Sequence, residues 1–316
     1  MYLKDTEQNT LHENPLKKRG KTLSIVASSS IPALSTNVRT VLAMCGSASS
    51  DAAAISQVIQ YDFGMTLNML KAINSAFYSA DKTPVISILH TLVLLGMDMV
   101  AHIVLDMPRV HPDEVNKKRS KEIATAWLMP FGQKVFGAHV ATSIAKHADL
   151  DLDAVFYCTL FRDLGELVLS CAYPEGYRKY INSKGISSNE ASLSRRTFGL
   201  SFDELTLHLV RKWNFPRCLT DVVRLKRRDL SLNGRVPRDV ITLSGLVNEW
   251  CGHISTQGPK GLRFQGETRK SLIEIFTLSD KIINRIVRDE LEGLKKYSPL
   301  YFEALRSNGF VQNILL

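Results

Sequence analysis

VFYCTLFRDLGELVLSC, residues 155–171, is apolar at nearly every position, with Arg162, Asp163 and Glu166 as its charged residues. The run is long enough for several helical turns, and its composition predicts a helix in the core. A charge in such a helix is stable only when paired or hydrogen-bonded, because an isolated buried ion is too costly. Glu166 can lie on an exposed face, and Arg162 can extend its stem outward. Asp163 is too short for that escape. The adjacent pair Arg162–Asp163 is therefore where the sequence gives up stability for something else.

Working outward, helical spacing recurs along the chain. Val38, Val41, Leu42 and Cys45 share one face, and Gly46 to Ser50 form a break with Asp51 as the cap of the next helix. Ala54, Ile55, Val58 and Ile59 line that helix, and Leu67, Leu70, Ile73, Ala76 and Phe77 the one after. Ser79 to Pro84 form a turn, and the run Ser87–Leu95 stops at Gly96 before a helix begun by Asp98 and ended near Pro108. Residues 113–150 are predominantly helical, with a kink or break expected near Pro130 and Gly132. Capping boxes are expected at Ser187/Glu190 and Ser201/Glu204. No segment makes a convincing strand, so the fold class is all-α, a multi-helix bundle. The expected divisions are a flexible basic tail over 1–22, a main domain over 23–228, and a helical C-terminal extension over 235–316, packed on the domain or continuous with it.

The totals narrow the function. At 316 residues, 45% hydrophobic and 22% charged, the chain reads as a globular protein. No apolar run is expected to reach the roughly 18 residues of a membrane span, and the N-terminus lacks the apolar region of a secretory signal. Five scattered cysteines without a CxxC pair fit reduced thiols in the cytoplasm. No GxGxxG or P-loop spacing points to a cofactor. The formal charge of +9 is concentrated at Lys17 to Lys21, Lys117 to Lys121 and Arg224 to Arg228. Arg195, Arg196, Arg224, Lys226, Arg227 and Arg228 would form an anion, nucleic-acid or partner surface. No aromatic residues interleave the basic clusters as stacking platforms, so solvated helix ends are the favoured reading.

Several motifs then fall in one order: Ile31 to Leu34, the Asp62 turn, Asn74-Ser75-Ala76-Phe77-Tyr78, and the run Ile88 to Gly96 with Thr91 and two leucines before its glycine. Leu164-Gly165 follow the charged pair, and Trp213, Asn214 and Pro216 join two later helices. Together, over about residues 24 to 225, these resemble the HDOD family of bacterial signalling proteins, relatives of the HD phosphohydrolases. On residue chemistry alone, Asn74 and Ser75 also fit hydrogen bonding to local backbone at a helix end.

The resemblance carries an expectation about the site. An HD phosphohydrolase binds divalent metal through one histidine, a His-Asp pair and a later aspartate. His139 matches the first histidine, and Arg162-Asp163 stands at the His-Asp pair. Arginine stays protonated and has no lone pair to offer a cation. In the later region Asp221 and Asp229 are the nearby carboxylates. His139, Arg162 and Asp163 are thus expected to be a vestigial site with no metal and no catalytic residue. Two arrangements stay open: Arg162 neutralises Asp163, or Arg162 points outward while Asp163 bonds a helix end. The functional expectation is a non-enzymatic regulatory module that binds a signalling protein or a small ligand, away from any membrane. The alternatives are an HD-type metal-dependent phosphohydrolase with a rearranged site, and a nucleotide or nucleic-acid binding regulator.

Overall fold

The structure is a computed structural model that describes residues 14–47, 51–75, 84–115, 118–183, 189–225, 237–255 and 259–315. It opens with helix α1 (Pro15–Ser28), where Asn14 accepts from the Leu16 amide and Pro15 occupies the first turn. The expected flexible tail over 1–22 is corrected here. Thr22 and Val26 are buried, and the Thr22 hydroxyl donates to the Phe198 carbonyl. Residues 1–13 lie outside the described residues.

Strand β1 (Ala33–Leu34) leads to α2 (Ser35–Cys45), α3 (Ala52–Gln60) and α4 (Phe63–Ile73). Asp51 caps α3 by accepting from the Ala54 amide, and Asp62 caps α4 by accepting from the Met65 amide at 2.9 Å. The other Asp62 oxygen accepts from the Leu34 amide at 2.7 Å, so one buried carboxylate joins two elements. Next comes α5 (Ile88–Leu105), which is bent at Gly96, where φ is +75° and ψ 160°. That backbone favours glycine. Contrary to expectation, α5 is 18 residues long with a mean hydropathy of 2.0, long and apolar enough by those measures to cross a membrane. Its inner face, including Ile88, Leu92, Val100 and Val104, is buried, and it packs on α2, α3 and α4. Its outer face leaves Leu89, Val93, Leu94 and Leu105 exposed.

Strand β2 (Arg109–Val110) pairs in parallel with β1, Ala33 opposite Arg109 and Leu34 opposite Val110. This short ladder was not foreseen, since two residues are too few to set up a periodicity of two. The one-turn α6 (Pro112–Val115) precedes the 28-residue α7 (Lys118–Ala145). α7 continues through Pro130, so of the expected kink or break, a break is excluded. Small residues on α7 instead admit its neighbours: a Cβ on Gly132 would lie 2.8 Å from the Tyr301 Cβ, and one on Gly137 3.3 Å from the Cys251 sulfur.

The stretch quoted at the outset forms two helices, α8 (Leu152–Phe161) and α9 (Leu164–Ala172). Arg162 and Asp163 lie between them, so the charges sit at a helix junction and not inside one helix. After α10 (Pro174–Asn182) comes α11 (Glu190–Phe198), capped by Asn189 accepting from the Ser192 amide. That cap corrects the capping box expected at Ser187, a residue outside the described set. In α12 (Phe202–Lys212) the Ser201–Glu204 capping box is formed in both directions. α13 (Arg217–Leu225) follows directly after Pro216.

The remaining helices are α14 (Arg238–Ile254), α15 (Pro259–Ile275), α16 (Asp280–Tyr297), α17 (Pro299–Ser307) and α18 (Phe310–Ile314). Helices α14, α16 and α17 all pack against α7. A single hydrophobic cluster runs from Val26 to Ile314 and buries Trp250, Tyr301 and Phe310 from the extension. The fold is all-α, with one core shared by domain and extension.

Candidate functional site

The helix junction is organised by a residue from α7. Lys134 donates its ammonium to Asp163 Oδ2 and to Asn248 Oδ1 on α14. The Lys134 and Asp163 side chains are 14% and 22% exposed, so the pair is well shielded from water. Asn248 completes the link by donating to the Thr159 carbonyl on α8 at 3.0 Å and to the Ser244 carbonyl at 2.8 Å. Thr159 and Ser244 hydroxyls also meet, at 3.2 Å. Three helix segments are therefore held together around one carboxylate. Asp163 occupies the N-cap position of α9 without a side-chain capping bond.

Arg162 lies beside this network. Its guanidinium turns toward α14, with Nη2 3.5 Å from where a Cβ on Gly245 would sit, an ordinary contact distance. Nη1 is buried without a hydrogen-bond partner. Burial lowers its pKa, while Asp163, Asp203, Cys158 and Glu249 oppose that shift. Neither open arrangement is complete: Lys134 makes the direct ion pair with Asp163, and Arg162 adds a longer-range positive charge. Gly165 explains how α9 and α12 come so close. A Cβ there would lie 2.4 Å from the Phe202 carbonyl oxygen, and the Gly165 amide donates to Thr206 Oγ1 at 2.8 Å. Glu166 is half-buried and accepts from the Tyr177 hydroxyl at 2.8 Å.

His139 sits five residues beyond Lys134 on α7 in a different setting. Its ring stacks on Tyr61 at 3.8 Å with an interplanar angle of 12°, and meets the edge of Phe156 at 5.1 Å. Burial lowers its pKa to about 3, with the Gln60 backbone partly opposing the shift. Nδ1 is 3.9 Å from Glu290 Oε2, and Nε2 is buried with no hydrogen-bond partner. Glu290, from α16, accepts from Tyr61 Oη at 3.0 Å and Ser143 Oγ at 2.6 Å. His139 is thus packed between two aromatic rings of the domain, with Glu290 of the extension nearby.

The residues present do not fit a divalent metal. Among the described residues no group of three His, Cys, Asp or Glu side chains stands at ligand spacing. Asp163 is held by an ammonium, and the neighbouring Arg162 guanidinium adds a second positive charge that would repel a cation. Asp221 is described and Asp229 is not.

Asn74 ends α4, donates to the Leu70 and Val85 carbonyls at 3.0 and 2.7 Å, and accepts from the Val85 amide at 2.7 Å. Ser75 donates its amide to the Ala72 carbonyl at 3.1 Å. Ala76, Phe77 and Tyr78 lie outside the described residues. Trp213 ends α12 beneath the Lys71 ammonium, 4.5 Å from the ring centroid, and Asn214 turns the chain at φ +51°. Pro216 accepts from the Leu219 amide at 3.1 Å. In the basic set, Arg195 is taken up by Glu204 at 2.9 Å, and the Arg196 carbonyl accepts from Lys18. Arg224 is half-buried in the last turn of α13. Lys226, Arg227 and Arg228 lie outside the described residues.

Sequence reasoning missed Lys134, Gly245, Asn248 and Glu290. Lys134 left a signal, as a lone cation in the apolar half of α7. The other three lie on the extension, and only the tertiary fold brings them in.

The model of the HDOD domain matches residues 31–228, more than half of the chain, and the protein belongs to the HDOD family. Among solved structures, its fold is similar to the MmoQ response regulator from Methylococcus capsulatus str. Bath, with a TM-score of 0.60 and 23% identity over 82% of this chain and 98% of that one. It is also similar to a virulence factor from Campylobacter jejuni subsp. jejuni, with a TM-score of 0.54 and 17% identity over 90% of this chain and 96% of that one. No curated protein matches the chain.

Proposed function

We propose that the protein is a non-catalytic signal-transduction module that acts by binding a protein partner or a small ligand, with a degenerate HD site. The observation that carries this reading is the Lys134–Asp163 ion pair, with Arg162 standing at the position of the ancestral histidine. The one carboxylate retained from the motif is engaged by an ammonium, and its neighbour can donate hydrogen bonds but cannot ligate. The fold likeness to a protein described as a response regulator supports a signalling role. So does the apolar outer face of α5, since contiguous exposed apolar side chains mark interaction surfaces. In the nucleic-acid reading Arg195 would be a free contact, and its bidentate contact with Glu204 counts against that.

The test is elemental analysis of the purified full chain together with a phosphodiesterase assay in manganese, iron and magnesium. The expected result is no stoichiometric metal and no turnover. Turnover that Asp163→Ala abolishes, with bound metal lost in the same variant, would overturn the reading.

A further inference from the structure

A cleft crosses the seam between the family-matched segment and the helices that follow it. Its volume of about 400 Å³ falls in the range of small-molecule sites, roughly 300–1,000 Å³. Thr36 and Met44 on α2 and Gln57 and Val58 on α3 line one side, and Lys296 and Tyr297 at the end of α16 line the other. Hydrogen bonds across the seam pin the two sides. Asn37 Nδ2 donates to Ser298 Oγ at 3.2 Å, Ser298 Oγ donates to the Tyr61 carbonyl, and Tyr297 Oη donates to Gln57 Oε1 at 3.0 Å. The Tyr297 ring is backed by the Tyr61 ring at 4.9 Å, so this wall is set before any ligand arrives.

The lining is graded from polar to apolar. Thr36 stands in the first turn of α2, beside Asn37 and its Ser298 partner, so that turn faces the Lys296 and Tyr297 end. Met44 stands in the last turn of α2, about 12 Å further along the helix. Val58 is buried and adds apolar surface. Because the Gln57 oxygen accepts from Tyr297, its amide nitrogen is left as a donor. Lys296 is the one charged residue of the lining. Its ammonium lies over the Tyr297 ring, 4.6 Å from the centroid, while the neighbouring Lys295 faces Glu292 at 3.8 Å. With no carboxylate in its lining, the cleft offers nothing to a metal ion. A single ammonium also falls short of the charge on a nucleoside polyphosphate.

We propose that this cleft binds a small organic monoanion, its acid group held by the Lys296 ammonium and the Gln57 amide, its apolar body lying toward Met44 and Val58. The site gives a ligand class to the small-ligand form of the proposed function, on which it rests. A charge-assisted hydrogen bond fixes the acid end, and burial of the body supplies the remaining affinity. The bound molecule touches both sides of the seam and so ties α16 to α2 and α3. Binding the native chain alone, it raises the melting temperature.

The experiment is isothermal titration calorimetry of the full chain. The probes are sodium octanoate and 4-phenylbutanoate as monoanions, octanamide as the uncharged counterpart, and inorganic phosphate as an anion without an apolar body. The expected result is saturable one-to-one binding of at least one monoanion, with octanamide and phosphate each weaker by about tenfold or more. Lys296→Met weakens the monoanion by about tenfold and leaves octanamide unchanged, whereas Met44→Trp, which fills the apolar end, weakens both. Lys296 is exposed and Met44 half-buried, so both variants keep the fold, which melts of the unliganded chains check. Absence of binding by either monoanion at millimolar concentration would overturn the proposal. Binding that Lys296→Met leaves unchanged would overturn it too, by placing the ligand elsewhere, such as the outer face of α5. Phosphate binding as tightly as the monoanions would reduce the cleft to a simple anion site and equally defeat it. None of these outcomes bears on the non-catalytic reading, which metal analysis and turnover decide separately.

Discussion

Residues 155–171 and 88–105 are two strongly apolar stretches, and they end up in opposite surroundings. The first is enclosed by α7, α12, α13 and α14, and almost all its side chains are buried. The second packs one face on α2, α3 and α4 and leaves Val93 69% and Leu105 54% exposed on the other. Each is interrupted once, the first by a charged junction and the second by Gly96. The lesson concerns what a charge in an apolar run means. Asp163 signals burial, because such a charge persists only where a partner is supplied, here Lys134, which Asn248 holds in turn. The scarcity of charge in α5 signals no such enclosure. Hydropathy describes a segment, whereas burial depends on what the rest of the chain brings to it.

The comparison can be broken at its strongest point first. Lys134→Met leaves Asp163 without its ammonium, and breaking such a pair costs about 3–5 kcal/mol. Asp163→Asn in the same chain should recover much of that loss. Urea denaturation of the two variants decides the matter. A Lys134→Met chain as stable as the parent would show that the junction is solvated and not enclosed.

A smaller effect follows from the depressed pKa of His139. The unfolded chain takes up a proton near the ordinary histidine value of 6.5, while the native ring stays neutral down to about 3. Stability contributed by this residue is thus complete above that range and falls as pH drops through it, by up to about 1.4 kcal/mol per pH unit. His139→Phe keeps a ring beside Tyr61 and Phe156 and removes the titration. The stability of the parent should fall relative to the variant as pH is lowered from neutrality. Asp62 is common to both chains and cancels in the difference. Parallel stability–pH curves would show that His139 is open to solvent.

The smallest effect belongs to the exposed helix. Val93→Ala should change the unfolding free energy by no more than about 0.5 kcal/mol, whereas Leu160→Ala in the enclosed stretch should cost about 2–5 kcal/mol. Thermal melts of the two variants sharpen the contrast. Equal shifts would erase it.

Much of the fold was legible because its signals are local. Asp51 and the Ser201–Glu204 box cap helices where their spacing says they should, and Gly96, expected as a stop, marks a bend within α5. Among the local readings that failed, three have identifiable reasons. The basic residues after Asn14 looked like a tail, but Thr22 and Val26 give α1 a narrow buried stripe. Pro130 does not end α7, whose length is supported by helices packed along it. Residues 155–171 looked continuous because an apolar run says nothing of where the backbone turns. The site was legible only by position: the resemblance pointed to His139, Arg162 and Asp163. The groups that decide its chemistry come from 29 residues upstream of Asp163 and, for the link from Ser143 to Glu290, from 147 residues away. Their spacing carries no sequence signal at all.

The glycines of α7 have a further consequence, for how the chain folds. Gly132 and Gly137 leave recesses that are filled by Tyr301 and Cys251, both beyond the end of the family-matched segment at residue 228. A helix bared of those fillers would present hollows and apolar walls to water in place of a finished surface. The family boundary therefore does not coincide with a break in the packing. Residues 31–228 and the helices that follow are expected to melt as one unit, which a single calorimetric transition of the full chain would check.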